Sequence, residues 1–392
     1  MRIERLRVQG YRSLADVTWE PGALNLLIGP NGSGKSNLLR SLQLLSDAAN
    51  GHLAEGIRRA GGMVPLLWDG QTSTLAWEID LASPSGSGHR LTYKLVLERL
   101  GASGAYQIEL EQLDIASADG ELAKTTMKRR GESSRMIGEP ALVIQGREIE
   151  PAHIRQAETL LAQAPLTNQP ASLLTARQYL TDWCIYHDVR VDMESEMRRA
   201  QVSRLEKRVE PDGRNLIPVL HTLYTTDRNF KIEIDEAMRA AFGPDFDELL
   251  FPPAEDGRVQ LRVRWRSLRR EQSAADLSDG MLRFLFLITV LASPEPPGLI
   301  AIDEPELGLH PSMLPIVAEF AADAADRSQV ILTTHSPQFL DRFSNRAECT
   351  TVVLWEAGQT VLKRLSAERL RAWLKHYRLG QLWLSGELED AA

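Results

Sequence analysis

GPNGSGKSN, residues 29–37, stands between the apolar run LNLLI (residues 24–28) and the segment LLRSLQLLSD. Gly29, Gly34, Lys35 and Ser36 fit the spacing G-x-x-x-x-G-K-[ST], which binds phosphate when a strand precedes it and a helix follows. Leu24, Leu26, Leu27 and Ile28 read as the buried strand; Leu38, Leu39, Leu42 and Leu45 recur at helical spacing. Gly29, Gly32 and Gly34 let backbone N–H groups converge on phosphate oxygens without Cβ clashes. The new helix turns its positive end toward the anion. Pro30, Asn31, Ser33 and Asn37 complete the expected nucleotide-binding set. Lys35 is expected to reach the β- and γ-phosphates, with the Ser36 hydroxyl on Mg²⁺. A chance glycine turn with a solvated lysine would not require the flanking strand and helix.

A second cluster lies far along the chain. Leu299, Ile300, Ala301 and Ile302 form a short apolar run that ends on Asp303 and Glu304. A carboxylate at a strand end beside a phosphate loop can hold Mg²⁺ through water, and an adjacent one can deprotonate an attacking water. Asp303 is therefore assigned to the metal and Glu304 to the general base, a role typically worth about 10²–10⁴ in rate. The plainer account is a polar Asp-Glu-Pro turn after a strand. Upstream lies LSDGMLRF, residues 277–284, opening an apolar helical stretch over 281–292. Ser278 stands near its N-terminus, where unpaired N–H groups favour an anion, and where a simple N-cap would look the same. Downstream, RSQVILTTHSPQFL carries another apolar strand (Val330, Ile331, Leu332) and then His335.

In this order of loop, Leu-Ser-x-Gly, acidic strand and histidine strand, the chain resembles ABC-type ATPases of the SMC, RecF and OLD kind. Within them it is similar to compact AAA-family proteins carrying LSDG and DEPE.GLHP. The likeness extends from IERLRVQGYRSLADV near the start, through KRVEPDGRNLIPVLHTL (residues 207–223), to HYRLGQLWLSGEL near the end. It implies an α/β P-loop NTPase with an ABC/RecF-like head: a mixed sheet with helices, an antiparallel β subregion and a helical lid insertion. It implies ATP and Mg²⁺ as ligands, hydrolysis to ADP and phosphate, and a homodimer that sandwiches two ATP molecules. Ser278 and Gly280 would serve the ATP of the second subunit, and His335 would be a switch histidine at the γ-phosphate and water. Glu306 and His310 would cross the dimer interface. Asp279 stands where a second glycine is frequent, and its carboxylate would repel phosphate unless it points away. Gln71, Gln145 and Gln169 are candidates for a glutamine that couples Mg²⁺ to the lid. Arg12 lies near the first turn, where a salt bridge is its simplest role.

Residues 75–81, 91–97 and 106–110 alternate with period two and read as antiparallel strands. The charged stretch 119–140 reads as a loop or exposed hairpin. From about residue 151 to 242 the pattern is helical, and Val202, Leu205 and Val209 make a stripe far too short for a coiled-coil rod. We divide the chain into 1–150 (N-terminal part of the head), 151–256 (helical lid or short arm), 257–364 (C-terminal part of the head) and 365–392 (helical tail). In the tail, Leu370, Trp373, Leu374 and Tyr377 suit packing onto the head, with partner docking as the sharper alternative. The 57 residues after His335 are too few for a typical nuclease domain, so any nuclease is expected on a separate protein.

The 392 residues are 43% hydrophobic and 25% charged, an ordinary globular composition. A net charge of −8 argues against a globally basic nucleic-acid binder. One local exception is GRVQLRVRWRSLRR (residues 257–270). As a strand it places Leu261, Val263 and Trp265 on one side and Arg258, Gln260, Arg262, Arg264 and Arg266 on the other. That row could meet DNA or RNA phosphates, or pair with acids on neighbouring strands. Arg198, Arg199, Arg204, Lys207 and Arg208 form a second group, diluted by Glu194, Glu196 and Glu206 into a mixed solvated face. Cys184 and Cys349 are far apart and form no metal or disulfide pattern. No apolar run suits a signal core or membrane span, and a cytoplasmic protein is expected. Three functions compete: an ATP-hydrolysing dimerising switch for DNA repair or anti-phage defence with a separate effector, a non-catalytic module in which ATP fixes a protein interface, and a transporter subunit. The helical insert and the RecF-like start do not suit the last.

Overall fold

The computed structural model describes residues 1–69, 71–82, 89–101, 104–117, 124–130, 155–164, 170–365, 370 and 373–391. One compact unit gathers Met1–Gly22, Gly29–Trp183 and Val352–Lys363; the other gathers Ala23–Ile28, Cys184–Thr351 and Arg364–Ala392. Both are discontinuous, unlike the contiguous segments drawn from sequence order. The reason is visible in one pairing: strand Leu24–Ile28 lies parallel to strand Gln329–Thr334, with Asn25 and Val330 305 residues apart in sequence.

The first unit is built on a six-stranded antiparallel sheet, in the order Leu14–Trp19, Arg2–Tyr11, Thr74–Ala82, His89–Arg99, Tyr106–Ser117, Lys124–Arg130. The period-two alternation becomes one buried face: Leu75, Trp77, Ile79 and Leu81 on one strand, Leu91, Tyr93, Leu95 and Leu97 on its neighbour. The helix Lys35–Ala49 packs near this sheet through Leu38, Leu39, Leu42 and Leu45, all fully buried. Burying each such side chain contributes roughly 1.5–3 kcal/mol. Lys124–Arg130 forms a strand hairpin with Tyr106–Ser117, but one with a buried face at Met127 and Arg129 rather than an exposed one, and the rest of 119–140 lies outside the described residues.

The second unit contains four parallel strands in the order Cys184–Tyr186, Leu299–Asp303, Gln329–Thr334, Leu24–Ile28. Val330, Ile331, Leu332, Ile300 and Ala301 are completely buried, as strands covered on both faces require. Helix Asp279–Leu291 has nearly every residue buried, and helix Leu314–Arg327 packs against it and against the sheet.

Three sequence expectations change. The 202–209 stripe is not helical: Gln201–Val202 is a short strand, Val202 and Leu205 are exposed, and only Val209 is buried. The segment is fixed instead by hydrogen bonds from Ser203 N to Gly257 O and from the Thr222 hydroxyl to Arg204 O. Within residues 155–164 only Leu160–Gln163 is helical. The 257–270 stretch keeps its side-chain alternation but splits in two. Arg258–Val259 pairs with Gln201–Val202, and Arg262–Trp265 pairs with Phe246–Leu250 and Gln272–Ser273.

Candidate functional site

In the first unit the loop needs its glycines for separate reasons. A Cβ on Gly29 would lie 2.2 Å from the Val353 carbonyl oxygen. One on Gly34, at φ +107°, would lie 2.0 Å from the Thr360 hydroxyl. Gly32 has open space but φ +81°, the left-handed region that other residues avoid. Thr360 also approaches Ser33 O at 2.8 Å and Ser13 Oγ at 2.7 Å, and the Asn37 amide donates to Ser13 at 2.8 Å. Ser13 and Thr360 therefore brace the loop, a role the sequence did not reveal. Lys35 is 5% exposed and lies back across the loop, donating to Gly29 O (2.6 Å) and Pro30 O (3.0 Å).

The fit to an anion rests on two observations. The Ser33 hydroxyl is buried with no hydrogen-bond partner among the described residues, and nothing lies within 4 Å of a Cβ built on Gly32. The Ser36 hydroxyl in the first unit and the Asp303 carboxylate in the second are each a hard oxygen donor of the kind Mg²⁺ takes. Among the described residues no group of three or more His, Cys, Asp or Glu could hold a metal ion.

In the second unit three parallel strands end in register: Thr334 is opposite Ile28, and Thr333 is opposite Asp303. Gly29 is the next residue after Ile28, so the chain runs into the phosphate loop from this edge. Here Thr333 joins two functional residues. Its hydroxyl donates to Asp303 Oδ1 and accepts from the Glu304 N–H at 3.1 Å. Glu304 sits at φ +47°, a conformation rare for a side-chain-bearing residue. Its Oε1 lies 3.0 Å from His335 Nδ1. The expected base and switch histidine therefore form one pair.

Glu306 departs from its expected place across an interface. Its side chain turns inward, accepting from the Thr334 hydroxyl and from the His335 N–H (3.4 Å). Burial pushes its carboxyl above the ordinary range, against the pull of the Thr334 hydroxyl. Behind this cluster the buried Arg283 donates to Glu304 O (3.4 Å) and Val189 O (3.3 Å). Burial lowers its pKa while Glu306, Asp303 and Glu304 raise it. Thr333, Thr334 and Arg283 were missed because LTTH and MLRF read as ordinary strand and helix text.

Ser278 caps helix Asp279–Leu291, its hydroxyl accepting from Met281 N at 3.2 Å. Gly280 faces the loop after the carboxylates: a Cβ there would lie 2.7 Å from Gly308 O. Asp279 points to Arg198, which is buried and so does not belong to the solvated basic face. Gln71 donates to Asp69, while Gln145 and Gln169 lie outside the described residues. Arg12 makes no ion pair among the described residues; its guanidinium lies 5.7 Å from the Tyr11 ring centre. In the arginine row, Arg264 pairs with Glu248 and Glu271, Arg262 with Glu271, and Arg266 with Asp247. The tail packs inward at Leu379, Leu382 and Leu388.

Residues 24–341 match the family described as "AAA domain, putative AbiEii toxin, Type IV TA system". An OLD nuclease of Thermus scotoductus is 22% identical over 99% of this chain and 69% of its own length. A DNA replication and repair protein RecF of Bifidobacterium longum subsp. infantis is 32% identical, over 27% of this chain and 23% of its own. In fold, an Smc head bound to the C-winged helix domain of ScpA superposes with a TM-score of 0.55 and 15% identity, covering 95% of this chain and 100% of that one. An Smc head with an extended coiled coil, bound to the C-terminal domain of ScpA from Pyrococcus furiosus, gives 0.50 and 14%, over 95% and 98%.

Proposed function

The chain belongs to this AAA-domain family and has the P-loop ATPase fold of SMC, RecF and OLD heads, and from that premise we propose that it hydrolyses ATP as a nucleotide-dependent dimerising switch. The observation that carries the reading is the Glu304–His335 pair, 3.0 Å apart, at the sheet edge from which the chain enters the phosphate loop. The loop amides and Lys35 bind the triphosphate. Ser36 and Asp303 would hold Mg²⁺, which when bound offsets charge on the phosphate oxygens. Glu304 takes the proton of a water whose oxygen attacks the γ-phosphorus. The bond from that phosphorus to the ADP oxygen breaks, giving ADP and phosphate. His335 orients Glu304 and shares the accepted proton. Ser278 and Gly280 serve the nucleotide of the second copy.

The names of two relatives, an OLD nuclease and a DNA replication and repair protein, support work on DNA; within that work we place the chain in repair or anti-phage defence, with a separately encoded effector as its proposed partner. Among the described residues no helix is long and apolar enough to cross a membrane, and the proposed location is the cytoplasm. Glu304→Gln tests the switch. It should bind Mg-ATP, accumulate dimers by light scattering, and lose about 10²-fold or more in phosphate release. Monomers throughout would overturn the switch; undiminished release would overturn the base. ATP-dependent dimers of the unmodified protein with no turnover, with or without DNA, would favour the non-catalytic module.

A further inference from the structure

Asp279 places a negative charge inside the segment that the proposed switch aims at phosphate, and the structure shows how that charge is handled. Arg198 has a side chain only 3% exposed, beneath an Asp279 that is 65% exposed. One terminal nitrogen donates to Asp279 Oδ1. The other donates to Leu277 O (2.6 Å), Ala275 O (3.2 Å) and Ala274 O (3.3 Å). Nε donates to Val191 O and Asp192 O, both at 3.0 Å. A single guanidinium thus grips the backbone just before Ser278 and the side chain just after it. Its carbonyl partners carry no charge, so among the described residues Asp279 is the one anion bonded to it.

We propose that Arg198 is a positioning residue for the Leu277–Gly280 segment, which it makes receptive to the phosphate of a second copy's nucleotide. It does so by neutralising Asp279 from beneath and by fixing Leu277 and Asp279 on either side of Ser278. A glycine in place of Asp279 would need no such partner; an aspartate does, because an unneutralised carboxylate beside a phosphate is repulsive. The arginine geometry suits both tasks, since its planar fork can serve several acceptors at once. This inference rests on the dimerising reading above.

The test uses the full chain in the Glu304→Gln background, with Mg-ATP-dependent pairing followed by light scattering and single-chain nucleotide affinity measured separately. Arg198→Met should weaken pairing by about tenfold or more while leaving single-chain affinity unchanged. Adding Asp279→Asn to Arg198→Met should restore most of the pairing, which a merely structural arginine would not allow. Asp279→Asn alone, with Arg198 intact, should pair within about threefold of the parent, because that charge is already compensated. A tenfold gain from Asp279→Asn alone, no loss in Arg198→Met, or no recovery in the double variant would each overturn the proposal. If Arg198→Met fails to fold, Asp279→Asn alone decides. If the Glu304→Gln parent never pairs, the switch fails instead. Hydrogen exchange over residues 274–281 then judges Arg198: faster exchange in Arg198→Met supports its hold on the segment, and unchanged exchange overturns it.

Discussion

At the residue scale, Gly34 and Gly32 should fail differently. Gly34→Ala combines φ +107° with a Cβ 2.0 Å from the Thr360 hydroxyl, so loop and brace must both shift. Gly32→Ala meets only the backbone penalty of about 1–2 kcal/mol. Thermal melts and nucleotide affinity should therefore rank Gly34→Ala as the more damaging; equal losses would mean that the brace is slack. Thr333→Val keeps shape but removes the hydroxyl that serves both Asp303 and the Glu304 N–H. An unpaired buried donor costs about 1–3 kcal/mol, so the strained Glu304 should loosen. The expected signature is a kcat lowered by about tenfold with KM little changed, as for a group that acts in the transition state. An unchanged kcat would show that Glu304 holds its place without Thr333.

At the element scale, helix Asp279–Leu291 begins against the Gly308 carbonyl, and Gly280 is the residue that permits the approach. Alanine there would gain about 1 kcal/mol in helix propensity, but overpacking typically costs about 1–3 kcal/mol. Gly280→Ala should therefore lower both the melting temperature and nucleotide-dependent pairing; a higher melting temperature would overturn that balance. The short helix Leu160–Gln163 is held another way. Glu111, fully buried, accepts from Leu160 N (2.6 Å), Leu161 N (2.9 Å) and the Tyr93 hydroxyl (3.0 Å). Burial raises its carboxyl pKa, against the pull of those same donors and of Arg129. A raised folded pKa means its stabilisation is complete below the unfolded value and is lost as pH rises through the folded one. The melting gap between wild type and Glu111→Gln should be widest at about pH 4, near the unfolded value, and narrow as the pH rises above it; a gap that widens with pH would reverse the sign.

These elements also show what a sequence can tell. The phosphate loop, the acidic strand and the alternating strands were legible because each is set by local spacing and apolar periodicity. The 202–209 stripe misled because hydrogen bonds from Ser203 and Thr222, to partners remote in sequence, override a three-residue apolar rhythm. Arg198 reads as part of a solvated face and Glu306 as an interface residue because nothing local marks a charged side chain for burial; its partner must first be brought to it by the fold.

At the scale of the whole molecule, a chain with a net charge of −8 can bind a nucleic acid only through a local face, and the arginine row is now divided. Arg262, Arg264 and Arg266 already face Glu271, Glu248 and Asp247. Exposed pairs of this kind contribute about 0–1 kcal/mol, yet each acid largely cancels the field that a phosphate would feel. Arg258, Arg269 and Arg270 are exposed and carry no ion pair among the described residues. If this face meets DNA, those three should supply the counterion release. Replacing all three with alanine should flatten the plot of log affinity against log salt by about 0.9 for each phosphate no longer neutralised. The same change at Arg262, Arg264 and Arg266 should leave the slope nearly untouched, because the liberated acids add repulsion while the phosphates keep their cationic partners. Fluorescence anisotropy on duplex DNA across a salt series separates the two triple variants. A larger slope change from the paired set would mean that phosphate strips the acids from their arginines, and that the row acts as one surface after all.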